Sequence, residues 1–481
     1  MSQAAGQAPR ADEPPLVIDV DGTLLRTDLL QEAALQFVAG FPWEAWRLPL
    51  WLLKGKATLK AALAARVDPG VASAPLRAET VELIRQAQAT GRPVYLASAS
   101  DSRYVQALAE RLGGIAGIFA TDQHANLAGA AKAARLETEF GVGGYDYVGD
   151  RAVDFPVWRS ARTQIAVSHS DAFTRRVRSA FPDVQVIAEP RASVGALFKA
   201  MRPHQWAKNT LVFLPAIAGH QFGPASLGAS LVAFVCFCMA ASSSYLVNDL
   251  LDLPADRDHP TKRNRPLAAG TLPIPTGILL SLALLAAAAA LALLLPGGFA
   301  LVLAAYVAVT LGYSLYLKRK LLIDVITLGG LYAIRVFGGI RAADQPPSPW
   351  LLTFCLFLFL SLATVKRCSE MIVRRNEGKD AIAGRGYRPS DLNALMPLAA
   401  AAGYGAVLVV TLYLASPEVS RLYTHPVRMW LTCPALLYWI SRVLVLSSRG
   451  ELHEDPVVFA LRDRVSWLTA VYVGFVIAVS L

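Results

Sequence analysis

This chain has few charged residues, and its few cysteines show no spacing that suggests pairing. Asp, Glu, Lys and Arg make up 17% of the 481 residues, against roughly 25% in ordinary soluble domains. The five cysteines lie between positions 236 and 433 and have neither metal-ligand nor disulfide spacing, which argues against a zinc module or a disulfide framework. Residues 1–15 lack the basic-then-apolar pattern of a secretion signal, so we expect the N-terminal part to stay in the cytoplasm.

Apolar residues are abundant instead. They form 54% of the chain, and the mean hydropathy is +0.41. Residues 205–481 contain repeated apolar runs of bilayer-spanning length, whereas residues 1–190 read as a soluble α/β domain. The net charge of +10 comes mainly from basic residues between the apolar runs, so membrane topology explains it better than nucleic-acid binding.

This pattern predicts a Rossmann-like α/β domain followed by an all-α bundle of nine transmembrane helices. We expect a disordered tail over residues 1–14, the α/β domain over 15–190 with a small helical cap at about 27–90, an interfacial linker helix over 191–204, and the bundle over 205–481. The predicted spans are about 209–222, 226–248, 275–296, 299–317, 322–341, 349–365, 394–415, 427–446 and 465–481.

The distribution of Lys and Arg predicts the orientation of these spans. With a cytoplasmic N-terminus, the predicted outer loops carry only Arg341, Arg421 and Arg428, and the other basic residues between spans fall on the inner side. The pattern therefore predicts a multi-pass protein of the inner (plasma) membrane whose α/β domain and active sites face the cytoplasm. It is also compatible with a homo-oligomer.

A dense group of acids follows the second predicted span. On a helix, Asp249, Asp252 and Asp256 fall at about 0°, 300° and 340°, which places them on one face. Clustered carboxylates of this kind suit Mg²⁺, which fills its remaining positions with water and substrate phosphates. Pro254 is expected to break this helix near Leu253, which allows Asp256 to lie on a loop.

Basic residues follow these acids at once. Lys262, Arg263 and Arg265 are suited to hold the outer oxygens of a diphosphate that a metal does not reach. Further cations lie near predicted cytoplasmic ends of other spans, including Lys318, Lys366 and Arg367. Each one alone is typical of a positive-inside anchor, but together with the acids they predict a polyphosphate site.

The soluble half carries four polar groups at the ends of strands or the starts of helices. They are Asp19 and Asp21 after Leu16–Ile18, Ser98 after the run 94–97, Lys132 at the start of an amphipathic helix, and Asp150 with Asp154 after the run 145–148. In an open α/β sheet, ligands bind at such strand ends.

This order resembles the four motifs of the haloacid dehalogenase superfamily of phosphatases over roughly residues 14–190. The resemblance implies that Asp19 is the nucleophile and Asp21 the general acid/base, that Ser98 holds phosphoryl oxygens, and that Lys132 balances charge. It also implies an Mg²⁺ site made by Asp19, the backbone carbonyl of Asp21 and Asp150, with Asp154 in support. A role as a scaffold or regulator without catalysis stays open.

An aromatic segment interrupts the predicted cap. Trp43, Trp46 and Trp51 lie in a stretch too short to span a bilayer, close to Lys54 and Lys56. It is either part of the core of the cap or an interfacial segment that presses the cap onto the membrane.

The acid motif Asn-Asp-x-x-Asp-x-x-x-Asp at 248–256 resembles that of the UbiA superfamily of intramembrane prenyltransferases. Five further short motifs resemble the decaprenyl-phosphate phosphoribosyltransferase branch of this superfamily, and the resemblance covers about residues 195–481. These motifs lie at 202–209, 259–266, 317–318, 366–367 and 460–464. The branch implies phosphoribosyl diphosphate and a polyprenyl phosphate as substrates, Mg²⁺ as cofactor, and a role in building cell-wall arabinan. Carried onto this chain, it implies substrate-binding roles for Lys208, Asn209, Asn248, His259, Lys262, Arg265, Tyr313, Lys318, Asp324, Lys366 and Arg367.

One departure from the superfamily bears on chemistry. The usual second acidic pair is reduced to Asp324, because Leu328 stands where its partner is expected. A lone acid suits a lipid phosphate that acts as nucleophile better than a prenyl diphosphate that must ionise. Prenylation of a small aromatic acceptor by a polyprenyl diphosphate remains the alternative.

Overall fold

The computed structural model describes residues 13–122, 126–189, 193–376, 386–452 and 456–481. Residues 1–12 of the predicted disordered tail lie outside these ranges. The chain divides into two compact units, the first formed by Met1–Met201 and Leu246–Leu279 and the second by Arg202–Tyr245 and Leu280–Leu481. The acid-rich segment therefore belongs to the same unit as the α/β domain.

The first unit is built around a six-stranded parallel sheet in the order β3-β2-β1-β4-β5-β6. The strands are β1 Leu16–Asp19, β2 Val94–Asp101, β3 Gly117–Thr121, β4 Asp146–Gly149, β5 Thr163–Ser168 and β6 Gln185–Ala188. This confirms the predicted parallel α/β domain. The first strand is buried throughout, as expected of a central parallel strand covered on both faces.

In the described part of the chain, nine α-helices accompany the sheet, and those that pack against it lie on both of its faces. They are α1 Leu29–Gly40, α2 Arg47–Leu53, α3 Lys56–Ala64, α4 Ala78–Ala89, α5 Ser102–Leu112, α6 Ala130–Phe140, α7 Phe155–Ser160, α8 Asp171–Ala180 and α9 Val194–Met201. Successive side chains of a strand point to opposite faces. Ile18 accordingly packs in the apolar core that includes α1 and α5, and Val17 packs in the core that includes α6 and α7.

Strand order decides where the polar strand ends meet. β1 pairs with β2 on one side and β4 on the other, with Val17 opposite both Tyr95 and Tyr147. From β1 the chain continues to β2 and β3 on one side, and it then crosses to β4 on the other side of β1. Such a reversal opens a crevice beyond the carboxyl ends of the strands. The sequence motifs after β1, β2 and β4 all reach this crevice.

The acid-rich segment packs against the α/β domain within the first unit. Helix α11, Pro224–Leu251, ends just before Asp252, and α12, Leu253–Asp258, restarts with Pro254 in its first turn. The predicted break thus occurs, and Asp256 lies in α12 rather than on a loop. The segment continues through a 3₁₀ turn at Lys262–Asn264 to the first residues of α13, Ile274–Ala292.

A buried ion pair and a close backbone approach hold this segment in place. Arg257 of α12 donates to both carboxylate oxygens of Glu32 on α1 at 2.8 and 2.6 Å. Their side chains are 4% and 0% exposed. Gly270, with φ +70°, lies so near Arg26 that an added Cβ would stand 2.7 Å from the Arg26 Cβ. Only glycine adopts this turn without strain at that distance.

The second unit is helical. Its elements are α10 Leu214–Ala218, the body of α11, the rest of α13, α14 Gly297–Leu315, α15 Ile323–Ala342, α16 Pro349–Asn376, α17 Leu392–Leu414, α18 Val419–Leu422, α19 Thr432–Ser448, α20 Pro456–Arg462 and α21 Arg464–Ser480. Helix α15 packs against α14 and α16, and α16 also packs against α17.

Among the described residues, seven helices are long and apolar enough to cross a membrane, or eight if the bent pair α20 and α21 forms one span. They correspond to the second to eighth predicted spans. The bent pair turns by 79° and occupies the place of the ninth. At the first predicted span, the chain forms a 3₁₀ helix, Pro203–Phe213, followed by the five-residue α10, which together are not a long α-helix.

Candidate functional site

Three carboxylates converge beyond the carboxyl ends of β1 and β4. One oxygen each from Asp19, Asp150 and Asp154 lie within 4.8 Å of one another, and all three residues are buried. Among the described residues, this is the one group of three or more His, Cys, Asp or Glu side chains with such spacing. Gly22, with φ +82°, makes room for it, because a Cβ there would stand 2.2 Å from Asp150 Oδ2.

A buried lysine completes this cluster. Lys132, in the first turn of α6, places its Nζ 2.6 Å from Asp19 Oδ1 and 3.6 Å from Asp154 Oδ1. Burial raises the pKa of Asp19 to about 7 despite the opposing charge of Lys132. Burial also raises the pKa of Asp150 to about 8 against the charge of Arg151. At these two carboxylates burial therefore outweighs the charges of Lys132 and Arg151, and a bound divalent cation would favour their ionised forms.

Asp21 occupies a separate polar niche. Its Oδ1 accepts from the Leu29 backbone N–H at 2.8 Å, and its Oδ2 accepts from the hydroxyls of Ser98 at 3.1 Å and Ser100 at 2.7 Å. Burial is the largest cause of its raised pKa, followed by the charge of Asp28. The Asp21 carbonyl, predicted as a metal ligand, accepts from Arg151 Nη2 at 2.8 Å.

A cavity of about 600 Å³ extends from this cluster to the acid-rich segment of the same unit. Its lining includes Asp28, Asp150 and His169 on one side and Gly270, Thr271 and Ile274 on the other. Ile274 is the first residue of α13, a helix apolar enough to cross a membrane. The cavity thus joins the buried carboxylates to the start of a candidate membrane span.

The polar wall of the cavity is fixed by a hydrogen-bonded group. His169 Nδ1 lies 2.7 Å from Glu189 Oε2, and Arg77 also pairs with that carboxylate. Burial alone would raise the pKa of Glu189, but the bonds from His169 and Arg77 lower it to about 2. Glu189 therefore stays ionised and holds both Arg77 and His169 beside the cavity.

The acid-rich segment brings two of its three predicted metal ligands around one cation. Arg265 Nη1 lies 3.1 Å from Asp249 Oδ1 and 2.5 Å from Asp256 Oδ2. Both aspartates are buried, while Asp252 is half-buried and accepts from Asn248 Nδ2 at 2.9 Å. The two buried carboxylates therefore face a shared position that attracts positive charge.

The basic residues after these acids divide into two roles. Lys262 Nζ lies 3.9 Å from Asp256 Oδ1, close enough to share a bound anion with a metal at the acids. His259 Nδ1 instead accepts from the backbone N–H groups of Thr261 and Lys262 at 3.2 and 3.4 Å, so this nitrogen stabilises the turn.

A second polar group lies within the helical unit. Tyr313 donates to Asp324 Oδ1 at 2.7 Å, and Arg367 contacts both Asp324 oxygens and lies 3.2 Å from the Tyr313 hydroxyl. Arg367 and Asp324 are 1% and 0% exposed at their side chains. Three predicted substrate-binding residues from α14, α15 and α16 thus converge, with the lone acid paired to an arginine.

The family model for the UbiA prenyltransferase family matches residues 210–462, more than half of the chain. The chain belongs to the UbiA prenyltransferase family. The match covers α11 to α20 and includes the acid-rich segment and the Tyr313–Asp324–Arg367 group. Both groups therefore belong to the prenyltransferase part of the chain.

Relatives of this UbiA-family chain differ in how much of it they share. The uncharacterized protein y4nM of Sinorhizobium fredii is 36% identical over 473 residues, covering 96% of this chain and 90% of the relative. A decaprenyl-phosphate phosphoribosyltransferase of Mycolicibacterium smegmatis is 40% identical over 221 residues, covering 44% of this chain and 69% of the relative. The α/β domain therefore has a counterpart in the first relative.

Among solved structures, a UbiA homolog from Archaeoglobus fulgidus bound to GPP and Mg²⁺ resembles this chain with a TM-score of 0.46 at 17% identity. The similarity covers 59% of this chain and 99% of that one.

The remaining predicted residues of the UbiA part are buried or half-buried. Asn209 is fully buried, where its Oδ1 accepts from Arg335 Nε at 2.8 Å. Arg335 also donates to the Tyr306 hydroxyl at 2.9 Å. This arginine of a candidate span is therefore hydrogen-bonded to residues of neighbouring elements inside the helical unit. Lys208 is buried as well, and Lys318 and Lys366 are half-buried.

Sequence reasoning missed two residues beside Asp21. Ser100 follows Ser98 by two positions in β2, and this alternation could have indicated that both hydroxyls face the same side. Lys60 of α3 is buried and donates to the Ala99 carbonyl and to Asn126 Oδ1, the latter at 2.7 Å. Burial lowers its pKa. No local signal marks Lys60, because its partners lie on β2 and beyond β3.

Proposed function

We propose that this protein is a bifunctional membrane enzyme. Its UbiA part transfers 5-phosphoribose from phosphoribosyl diphosphate to a polyprenyl phosphate such as decaprenyl phosphate. Its α/β domain then acts as a haloacid dehalogenase-type phosphatase and removes the 5-phosphate from the lipid product. The 40% identity to a decaprenyl-phosphate phosphoribosyltransferase carries the first activity, and the buried Asp19–Lys132 contact beside two more carboxylates carries the second.

In the transferase, a phosphate oxygen of the lipid attacks C1 of the ribose. The bond from C1 to the diphosphate oxygen breaks, and diphosphate leaves with the electron pair. Asp249, Asp252 and Asp256 would hold Mg²⁺, which would supply positive charge to the leaving diphosphate. The fit rests on Asp249 and Asp256, whose oxygens already face a shared cation, Arg265. Lys262 and Arg265 would bind outer oxygens of the diphosphate.

The pairing of Asp324 with Arg367 supports a polyprenyl phosphate, rather than a prenyl diphosphate, as the lipid substrate. Asp324 is neutralised by Arg367 and hydrogen-bonded to Tyr313, so it is poorly placed to hold a second metal at a prenyl diphosphate. Prenylation of an aromatic acceptor needs ionisation of a prenyl diphosphate, which a single paired acid supports poorly.

In the phosphatase, Asp19 attacks the phosphorus of the 5-phosphate, and the bond to the ribose oxygen breaks. Asp21 gives a proton to the leaving ribose oxygen and then takes one from the water that hydrolyses the aspartyl-phosphate. Lys132 offsets the charge on the nucleophile, and Ser98, whose hydroxyl donates to Asp21, would bind a phosphoryl oxygen by giving up that bond. Asp19 and Asp150 would hold Mg²⁺, supported by Asp154, and the metal would reduce the repulsion between the carboxylate and the phosphate.

The cavity supports a lipid-linked substrate for this phosphatase. Its volume of about 600 Å³ exceeds what a pentose phosphate fills, and it runs from Asp150 to Ile274 at the start of an apolar helix. A ribose ring fits near the polar wall of Arg77 and His169, and the lipid chain leaves along the apolar side. Both reactions then use substrates at the cytoplasmic face of the plasma membrane, in line with the distribution of Lys and Arg.

The test offers two radiolabelled substrates, a donor and an acceptor, in separate reactions with purified protein and Mg²⁺. Labelled phosphoribosyl diphosphate with decaprenyl phosphate should give labelled lipid, and its absence would overturn the transferase proposal. A labelled aromatic acid offered with a polyprenyl diphosphate should stay in the aqueous phase. Its appearance in the lipid phase would favour the aromatic prenyltransferase. Hydrolysis of a generic phosphate ester that Asp19→Asn abolishes would argue against a purely scaffolding α/β domain.

A further inference from the structure

The cap of the α/β domain presents an apolar face that no core residue covers. Trp43 is 82% exposed, Trp46 59%, Leu50 47% and Leu53 84%. Large apolar groups scattered singly over a surface need no explanation, but these four, with Leu52 at 50% in the same short stretch, mark a binding surface.

These four side chains share one side of the segment. Residues 42–44 form a 3₁₀ turn, Ala45 and Trp46 keep helical dihedral angles, and α2 continues from Arg47 to Leu53. The spacing of 3, 4 and 3 residues keeps positions 43, 46, 50 and 53 within roughly 80° on a helix. We call this set the Trp43–Leu53 face.

The opposite side of the segment already forms the core of the cap. Leu48 and Trp51 pack against the core of α1, where the Trp51 and Phe37 rings meet edge to face at 5.1 Å between centroids. Core packing therefore accounts for Trp51, and the Trp43–Leu53 face needs a different partner.

Charges around the face indicate what that partner is. Lys54 and Lys56, directly after α2, are exposed, while Glu44 is paired with Arg47 at 2.9 Å and Arg66 at 2.8 Å. Tryptophan with flanking lysine is typical of the boundary between lipid headgroups and acyl chains.

The same unit also contains the ends of two candidate membrane spans. Leu246–Leu279 includes the last residues of α11 and the first residues of α13. This unit is therefore held at a bilayer surface by its own chain, whatever the enzyme catalyses.

We propose that the Trp43–Leu53 face docks on the bilayer, with the apolar side chains among the acyl-chain ends and Lys54 and Lys56 at anionic headgroups. Two attachments, the spans and this face, fix the unit against the membrane. The partner is lipid rather than a second copy of the chain, because the basic flank repels itself and is attracted by anionic headgroups.

The test uses the full chain in nanodiscs of phosphatidylethanolamine and phosphatidylglycerol. A nitroxide is attached at Leu53→Cys, with Val142→Cys as control, since Val142 is 78% exposed in the turn after α6. All five native cysteines are buried, so the nitroxide reagent reacts with the introduced thiol rather than with them. Power saturation then compares collisions with oxygen, which concentrates in lipid, and with a water-soluble nickel chelate.

The Leu53 label should collide mainly with oxygen and be several-fold less accessible to nickel than the Val142 label. Adding Trp43→Ser and Trp46→Ser should reverse this preference, and both tryptophans are exposed enough for the fold to tolerate the change. Equal nickel accessibility at the two labels would overturn the proposal. Shielding from both reagents with dipolar coupling between labels would overturn it in favour of a contact between two copies.

Discussion

The ion pair between Arg257 and Glu32 offers a quantitative test of the way in which the acid-rich segment joins the α/β domain. We consider Arg257→Met, which keeps much of the side-chain volume and removes the guanidinium. Both oxygens of Glu32 then lose their arginine donors, and the Ala268 carbonyl loses a bond of 3.1 Å.

The expected loss in the free energy of unfolding follows from the burial of Glu32. Glu32 is fully buried, so its carboxylate has no water to replace the lost arginine. Leaving a buried charge without its partner costs about 3 to 5 kcal/mol. Removing both charges with Glu32→Leu and Arg257→Met leaves no buried ion, so the double variant should recover much of that loss.

The assay is pulse proteolysis of the purified full chain in detergent, following cleavage within the first unit as denaturant rises. Arg85→Met is the matched control, because Arg85 is exposed on α4, and it should change stability by less than about 0.5 kcal/mol. The reasoning is refuted if Arg257→Met costs no more than this control, or if the double variant loses the sum of both single losses.

Three further predictions concern other parts of the chain. Lys60→Met should lower phosphatase kcat/KM by about tenfold, because it removes a positive charge near Asp21 and the hydrogen bonds to the Ala99 carbonyl and Asn126, while Lys56→Met should leave turnover of a water-soluble ester unchanged. For Asp146, burial alone would raise the pKa, but bonds from two arginines and a backbone N–H lower it. The ionised Asp146 therefore stabilises the fold above its unfolded-state pKa of about 3.9, and this stabilisation is lost as the pH falls through its lower folded-state pKa. The Tm of wild type should consequently approach that of Asp146→Asn in acid. Arg367→Lys should abolish most transferase activity without changing ester hydrolysis, since lysine cannot contact both Asp324 oxygens and Tyr313 together.

Much of the α/β site follows from local sequence signals. Apolar runs place β1, β2 and β4, and the rule that ligands bind at the strand ends brings Asp19 close to Asp150 and Asp21 close to Ser98. Lys132 is predicted because it begins an amphipathic helix. These inferences succeed because each depends on one short stretch and on a general property of parallel sheets.

The remaining features depend on partners far apart in the chain. Arg257 and Glu32 are separated by 225 positions, and nothing near either residue indicates that they pair. The first predicted span fails to form a long helix because the chain there divides into a 3₁₀ helix and the short α10, each with a proline, Pro203 or Pro215, in its first turn. Lys60 is likewise identified only once the cap is folded over β2.

Mass spectrometry of the lipids made from phosphoribosyl diphosphate and decaprenyl phosphate tests the central claim most directly. Wild type should yield ribosyl phosphodecaprenol without the 5-phosphate. Asp19→Asn should accumulate the lipid that is heavier by one phosphoryl group, while Asp183→Asn, at an exposed acid, should match wild type. Identical lipids from wild type and Asp19→Asn, or no pentose on the lipid at all, would contradict the account.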